Sequence, residues 1–181
     1  MDKKILVIKG SPRKNGNTSA LADAFAEGAK ESGNTITDVV LKEKTIGDCL
    51  GCAVCQKNGG VCVQKDDMTE IYEAMKTADV IVLACPVYFY TWTSLMKRMI
   101  DRTFAVEELL KNKKFYLLSA GAAPEETYMR TMIDSFRQYV DCFQGEGNEE
   151  GGILFAYGTR EPADVKEMPV LEEAYQMGKA L

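Results

Sequence analysis

A chain of 181 residues has the length of one ordinary domain and can bury roughly two-thirds of its unfolded surface without disulfide staples. Its formal charge of −5, from 22 basic and 27 acidic residues, is spread without long blocks and makes a poor electrostatic match for nucleic acid. There is no histidine, which removes Ser-His-Asp and Cys-His hydrolases as usually built, together with His-ligated zinc or iron; hydride and electron transfer lose least, because a bound cofactor carries that chemistry.

The opening MDKKILVIKG has an apolar run of four residues, too short for a signal peptide. No stretch approaches the ~18 apolar residues of a membrane span. A cytoplasmic protein with no membrane partner is expected, in a compartment where thiols stay reduced. KKILVIKG reads as a buried strand. TSALADAFAEGAKESG follows as a helix with Leu21, Ala24, Phe25 and Gly28 on one face and Gly33 ending the run. TITDVVL is a second strand. DDMTEIYEAMKTAD is a helix with Asp67 and Glu70 at capping-box spacing and Met68, Ile71, Tyr72 and Met75 on its inner face. DVIVLAC is a third strand, apolar throughout as central parallel strands are. TSLMKRMIDRTF is helical and KFYLLSAG is a fourth strand. EETYMRTMIDSFRQYV is a helix with Met129, Met132, Ile133, Phe136 and Val140 inward. FQGEGNEEGG reads as a flap, GGILFAYG as a fifth strand and LEEAYQMGKAL as a closing helix.

Strand and helix alternate five times, which predicts an α/β fold: a three-layer, doubly wound, five-stranded parallel sheet. Right-handed crossovers favour the flavodoxin-like strand order 2-1-3-4-5. A single domain over residues 1–181 is expected, with no linker or repeat. Between about Lys42 and Asp66 no element is evident, and connections of that length in compact domains are usually functional.

KGSPRKNGNTSAL lies at the carboxyl end of the first strand and opens a helix, where a doubly wound sheet binds its ligand. Both the G-x-G-x-x-G and the G-x-x-x-x-G-K-[ST] patterns are missing. The hydroxyls of Ser11, Thr18 and Ser19, the guanidinium of Arg13, glycine-freed amides and a helix N-terminus would make a phosphate cradle. The plainer reading is a turn with Asn17 or Thr18 as N-cap. The pattern resembles the phosphate loop of NAD(P)H-dependent FMN reductases and related flavodoxin-like flavoproteins. The resemblance continues through PVYFYTWTSLMKRMIDR at residues 86–102 and through clustered cysteines followed by Asp66, Asp67 and Met68, covering about the first 105 residues. It implies FMN, with its phosphate at Ser11, Arg13, Asn17, Thr18 and Ser19. The ring would be bounded by Pro86, Val87, Tyr88, Phe89 and Tyr90 and by Ser119, Ala120 and Gly121. No side chain is singled out as acid or base. Trp92 suits a helix start, a flavin wall or a dimer contact equally, Lys97 and Arg98 a solvated or paired helix face, and Cys85 a small core residue.

Four of the six cysteines fall in the long connection, as Cys49, Cys52, Cys55 and Cys62 in C-x2-C-x2-C-x6-C order. Two-residue gaps let three cysteines converge on a [4Fe–4S] cluster, and Gly59 and Gly60 could turn Cys62 back onto it. This arrangement is similar to that of the iron–sulfur flavoproteins, a branch of the same family. Zinc is a second reading, although four-cysteine zinc sites usually pair two C-x2-C knuckles. Free or redox-paired thiols are a third.

The resemblance implies an enzyme that passes electrons from NAD(P)H through FMN to a quinone, a free flavin, an aromatic nitro or azo compound or another acceptor. Two rivals stand beside it: an electron carrier exchanging electrons between ferredoxin and FMN through a cluster on Cys49–Cys62, and a thiol-based redox sensor. Relatives of this kind imply a homodimer or homotetramer.

Overall fold

Five short strand segments, apolar in the three central ones and partly polar at the two edges, set the architecture. They form β1 (Lys4–Lys9), β2 (Thr35–Val40), β3 (Val80–Pro86), β4 (Lys114–Ala120) and β5 (Glu149–Ala156), which pair in parallel in the order β2-β1-β3-β4-β5. The computed structural model describes residues 2–143 and 145–181. The expected flavodoxin-like order is the one found. Central β3 is fully buried from Val80 to Cys85, with Leu83 registered against Ile8 on one side and Leu117 on the other. Its uninterrupted apolar run follows from having both faces covered.

The helices are α1 (Asn17–Glu31), α2 (Met68–Thr77), α3 (Ser94–Arg102), α4 (Arg130–Asp141) and α5 (Pro169–Lys179). Strand alternation sends Ile5, Val7, Val82 and Leu118 into a core with α1 and α5. It sends Leu6, Ile8, Leu83 and Leu117 into a second core with α2, α3 and α4. The α1 and α5 backbones touch at two glycines. A Cβ on Gly28 would lie 2.1 Å from the Tyr175 carbonyl oxygen, and one on Gly178 would lie 1.9 Å from that of Phe25, so neither position admits a side chain.

Several sequence expectations shift in detail. The capping box of α2 does not form. Asp67 accepts from the Thr45 amide (2.6 Å), Glu70 pairs with Lys44, and Asp66 accepts the Met68 amide in place of a cap (3.2 Å). The N-cap of α1 is Gly16, one residue before Asn17 and two before Thr18. The segment before α4 is a 3₁₀ turn, Glu126–Met129. Most of the expected flap is fixed instead: Glu149–Gly152 belong to β5, and Asn148 holds Leu110 and Gly145 through their carbonyls. Gln144, part of that flap, lies outside the described residues. Trp92 is buried and donates its indole N–H to Ser135 Oγ (2.8 Å), a core contact. Lys97 pairs with Asp101 and Arg98 with Asp48. Cys85 is a core residue, and burial pushes its thiol up to about 11. Among the described residues no helix is long and apolar enough to cross a membrane.

Candidate functional site

A cavity of about 270 Å³ opens at the carboxyl edge of the sheet. Its walls come from three places that the sequence brings to that edge: the loop from β1 into α1, the residues following β3, and those following β4. Of the expected residues, Ser11, Arg13, Asn17, Thr18, Pro86, Val87, Tyr88, Ala120 and Gly121 line it together. The charged residues on its wall are Arg13 and Arg160, both cations.

Polar groups on this wall divide by whether their bonds are already used. Asn17 is engaged at both ends: its Nδ2 donates to the Glu161 carbonyl (2.9 Å) and its Oδ1 accepts from the Val165 amide (3.3 Å). Arg13 donates through one guanidinium nitrogen to the Arg160 carbonyl (2.9 Å). Both side chains therefore strap the segment after β5 across the cavity. Ser11 Oγ accepts the Arg13 amide (3.2 Å) and keeps its own proton free to donate. Thr18 is 1% exposed, and its Oγ1 has no hydrogen-bond partner. It sits in the first turn of α1, where backbone N–H groups lack intrahelical acceptors and the helix dipole is positive. A buried hydroxyl without a partner costs about 1–3 kcal/mol, so this one marks where an acceptor belongs. An FMN phosphate fits that requirement.

Four expected residues do not line the cavity: Ser19, Phe89, Tyr90 and Ser119. Ser19 is half-buried beside the wall. Ser119 is turned into the sheet core, where its hydroxyl donates to the Cys85 carbonyl (2.7 Å). Phe89 and Tyr90 form the tip of a tight turn in which Tyr88 and Thr91 exchange backbone bonds of 2.9 and 3.1 Å. Both have left-handed φ, 47° and 68°, and Phe89 is 98% exposed. Such a turn is built for Asn-Gly; two aromatics there hold strain of the kind that gathers at functional sites. Sequence reasoning missed Gly16, Ala122, Thr159 and Arg160. The carboxyl end of β5 faces the same edge, and that rule alone would have pointed to Thr159 and Arg160.

The turn out of β1, next to the cavity, depends on close approach. Thr93 caps α3 by accepting the Met96 amide (3.2 Å), while its hydroxyl donates to the Gly10 carbonyl (2.7 Å). A Cβ on Gly10 would stand 2.9 Å from Met96 Cβ.

The second site is the connection from β2 to α2. Cys49, Cys52, Cys55 and Cys62 all line one pocket of about 30 Å³. Left-handed turns at Gly51, Ala53, Gly59 and Gly60 fold the loop back on itself. Among the described residues, no three Cys, Asp or Glu side chains are grouped so as to hold one metal ion. Burial pushes the Cys55 thiol up; the Gln56 amide opposes this, and the nearby Cys62 and Cys49 add to it. Soft thiolates in this number suit an iron–sulfur group by donor chemistry. The loop is anchored by Arg102, which forks onto Asp66 (2.6 and 3.1 Å), donates to the Gly47 carbonyl (2.8 Å) and reaches Cys62 Sγ at 3.4 Å. Burial works against ionised Asp66, but Arg102 and the amides of Gly47 and Met68 outweigh it and hold the carboxyl below its ordinary value.

Comparison with known proteins follows this geometry. The model of the family described as NADPH-dependent FMN reductase matches residues 3–139. An iron–sulfur flavoprotein of Methanosarcina thermophila is 33% identical over 158 residues, covering 84% of this chain and 82% of that protein. Another, of Methanocaldococcus jannaschii, is 30% identical over 182 residues, covering 97% and 94%. A solved azoreductase of Bacillus anthracis shares the fold with a TM-score of 0.75 at 18% identity, over 99% of this chain and 100% of that one. The matched stretch runs from β1 into α4 and takes in both the opening of α1 and the cysteine loop; the chain belongs to the NADPH-dependent FMN reductase family, within its iron–sulfur flavoprotein branch, and is an NAD(P)H-dependent FMN oxidoreductase.

Proposed function

We propose that the cavity at the carboxyl edge is the FMN site and that the enzyme reduces a quinone, a free flavin, an aromatic nitro or azo compound or a similar acceptor. When bound, FMN supplies a centre that takes two electrons from the nicotinamide and releases them singly or in pairs. The chain's own residues bind and orient it. Thr18 and Ser11 donate hydroxyl hydrogens to the phosphate, the first turn of α1 adds N–H groups and positive potential, and Arg13 and Arg160 add charge. Pro86, Val87 and Tyr88 with Ala120 and Gly121 wall the ring, and the strap held by Asn17 and Arg13 limits the entry of water. Phe89 and Tyr90 stand at the rim, suited to an acceptor or a neighbouring subunit. The observation that carries this reading is the buried, unpartnered Thr18 hydroxyl at a helix N-terminus. The test is titration of flavin-free protein with FMN and with riboflavin. FMN should bind at least tenfold more tightly, because one charge-assisted bond already provides that factor. Equal affinities would remove the phosphate site.

A second reading concerns the other pocket. We infer that Cys49, Cys52, Cys55 and Cys62 hold a [4Fe–4S] cluster exchanging electrons with FMN and with ferredoxin. What supports it is that all four cysteines line one pocket, together with the relatives' name. Iron content and visible absorption of protein purified without oxygen test it. Flavin bands alone, with no iron, would remove it. We further place the whole chain in one FMN-binding domain, in the cytoplasm, as a homodimer or homotetramer.

A further inference from the structure

Arg102 has more donors than its structural partners use. It is the last residue of α3, and its side chain is 1% exposed, against 13% for Asp66. Isolated burial of a guanidinium is costly, and the Asp66 fork together with the Gly47 carbonyl offsets that cost. Nη2, besides bonding Asp66, also donates to Cys62 Sγ at 3.4 Å, and Nε is buried with no protein partner. Arg102 lines the same pocket as the four cysteines and is the one charged residue among the described residues that line it. The helix end is fixed as well, because Tyr72 donates its hydroxyl to the Arg102 carbonyl (2.8 Å).

We propose that Arg102 is the charge-balancing and positioning residue of the cysteine site: it orients Cys62 and stabilises the more negative, reduced state of the sulfur-ligated group. The proposal rests on the iron–sulfur reading above. The step it modulates is the gain of one electron from a reductant. No bond is made or broken and no proton moves, so the group's net charge becomes more negative by one, and a fixed cation at the pocket wall favours that state.

The test compares wild type, Arg102→Gln, Arg102→Lys and Asp66→Asn, each reconstituted without oxygen and assayed first for iron. Mediated redox titration then follows the low-temperature electron paramagnetic resonance of the reduced cluster, which separates it from flavin. Arg102→Gln removes the cation and should lower the midpoint potential. Asp66→Asn leaves the cation uncompensated and should raise it. Arg102→Lys, which keeps the charge, should fall between Arg102→Gln and wild type. Opposite shifts in the two neutralising variants are what a purely structural role would not give. Iron-loaded variants with no shift, or with shifts of the same sign, overturn the proposal and leave the cluster reading standing. Wild type without iron overturns both. Should Arg102→Gln fail to fold, Asp66→Asn decides: an upward shift supports the assignment and an unchanged potential overturns it.

Discussion

Replacing Thr18 by Val separates the cost of the empty cradle from its use. The two side chains have nearly the same shape, so the change removes the hydroxyl and little else. Oγ1 is buried and has no protein hydrogen-bond partner, an arrangement that costs about 1–3 kcal/mol where nothing else supplies an acceptor. The variant without FMN should therefore be more stable than wild type by about 1 kcal/mol or more, which for a chain of this size raises the melting temperature by about 2–4 °C. With FMN the sign reverses. A hydrogen bond to a charged phosphate contributes about 1.5–3 kcal/mol, so its loss weakens FMN binding about 10- to 150-fold. Ligand stabilisation falls by about 1.4 kcal/mol for each tenfold loss of affinity. Melting curves of both proteins across an FMN series should then cross: Thr18→Val higher without flavin and lower at saturation. Curves that run parallel, or a variant less stable without flavin, would show that Thr18 Oγ1 is not an open acceptor site.

The strained turn, the crowded contact at Gly10 and the buried carboxylate each give a further expectation. Left-handed φ costs a residue such as Tyr90 about 1–2 kcal/mol, and glycine loses about 0.5–1 kcal/mol through added unfolded-state entropy. Tyr90→Gly should thus raise stability by about 0.5–1 kcal/mol, read as a higher urea midpoint at constant slope. Gly10→Ala pushes a methyl to 2.9 Å from Met96 Cβ; overpacking of this kind costs about 1–3 kcal/mol, so it should lower the urea midpoint and weaken FMN binding, because the start of α3 must shift. Asp66 has a folded pKa below its ordinary value of 3.8. Its contribution to stability is therefore complete above that value and is lost as pH falls from there through the lower folded value. Between pH 5 and 3 wild type should lose more stability than Asp66→Asn, as measured by urea midpoints at each pH.

The strands and most inner helix faces were legible because burial writes a simple code. Val80–Cys85 is apolar without a break, and Met132, Phe136 and Val140 recur at helical spacing. The loop opening α1 is legible as part of the cavity wall because it is local in sequence. What is not legible depends on distant segments. Asn17 lines the cavity as expected, and its bonds to Glu161 and Val165, across more than 140 residues, leave no local mark. Ser119 could have been placed by parity, since it shares the strand face of Phe115 and Leu117, which point into the core of α2, α3 and α4. The resemblance implies ring contacts at Phe89 and Tyr90, whereas a reversal with two non-glycine residues at positive φ leaves no mark in the residue types. Arg102 stands three residues after Met99 on the buried stripe, and that spacing is the signal for its burial.

One element ties the two sites together. α3 begins beside Thr93, whose hydroxyl holds the Gly10 carbonyl next to cavity residue Ser11, and ends at Arg102, whose guanidinium reaches Cys62. Nine residues at about 1.5 Å each set these anchors about 13 Å apart on a single rigid rod. Between them Met96 and Met99 are fully buried, so the helix cannot slide without opening the core that α2, α3 and α4 share against the sheet. The long cysteine connection contains only short 3₁₀ turns at its start and middle, and it borrows its order from this helix through Arg102, Arg98 to Asp48, and Gln56 to the Phe104 carbonyl just beyond the helix end. A loop without regular structure is thus tied to the end of a helix whose N-cap, Thr93, bonds to the turn leaving β1.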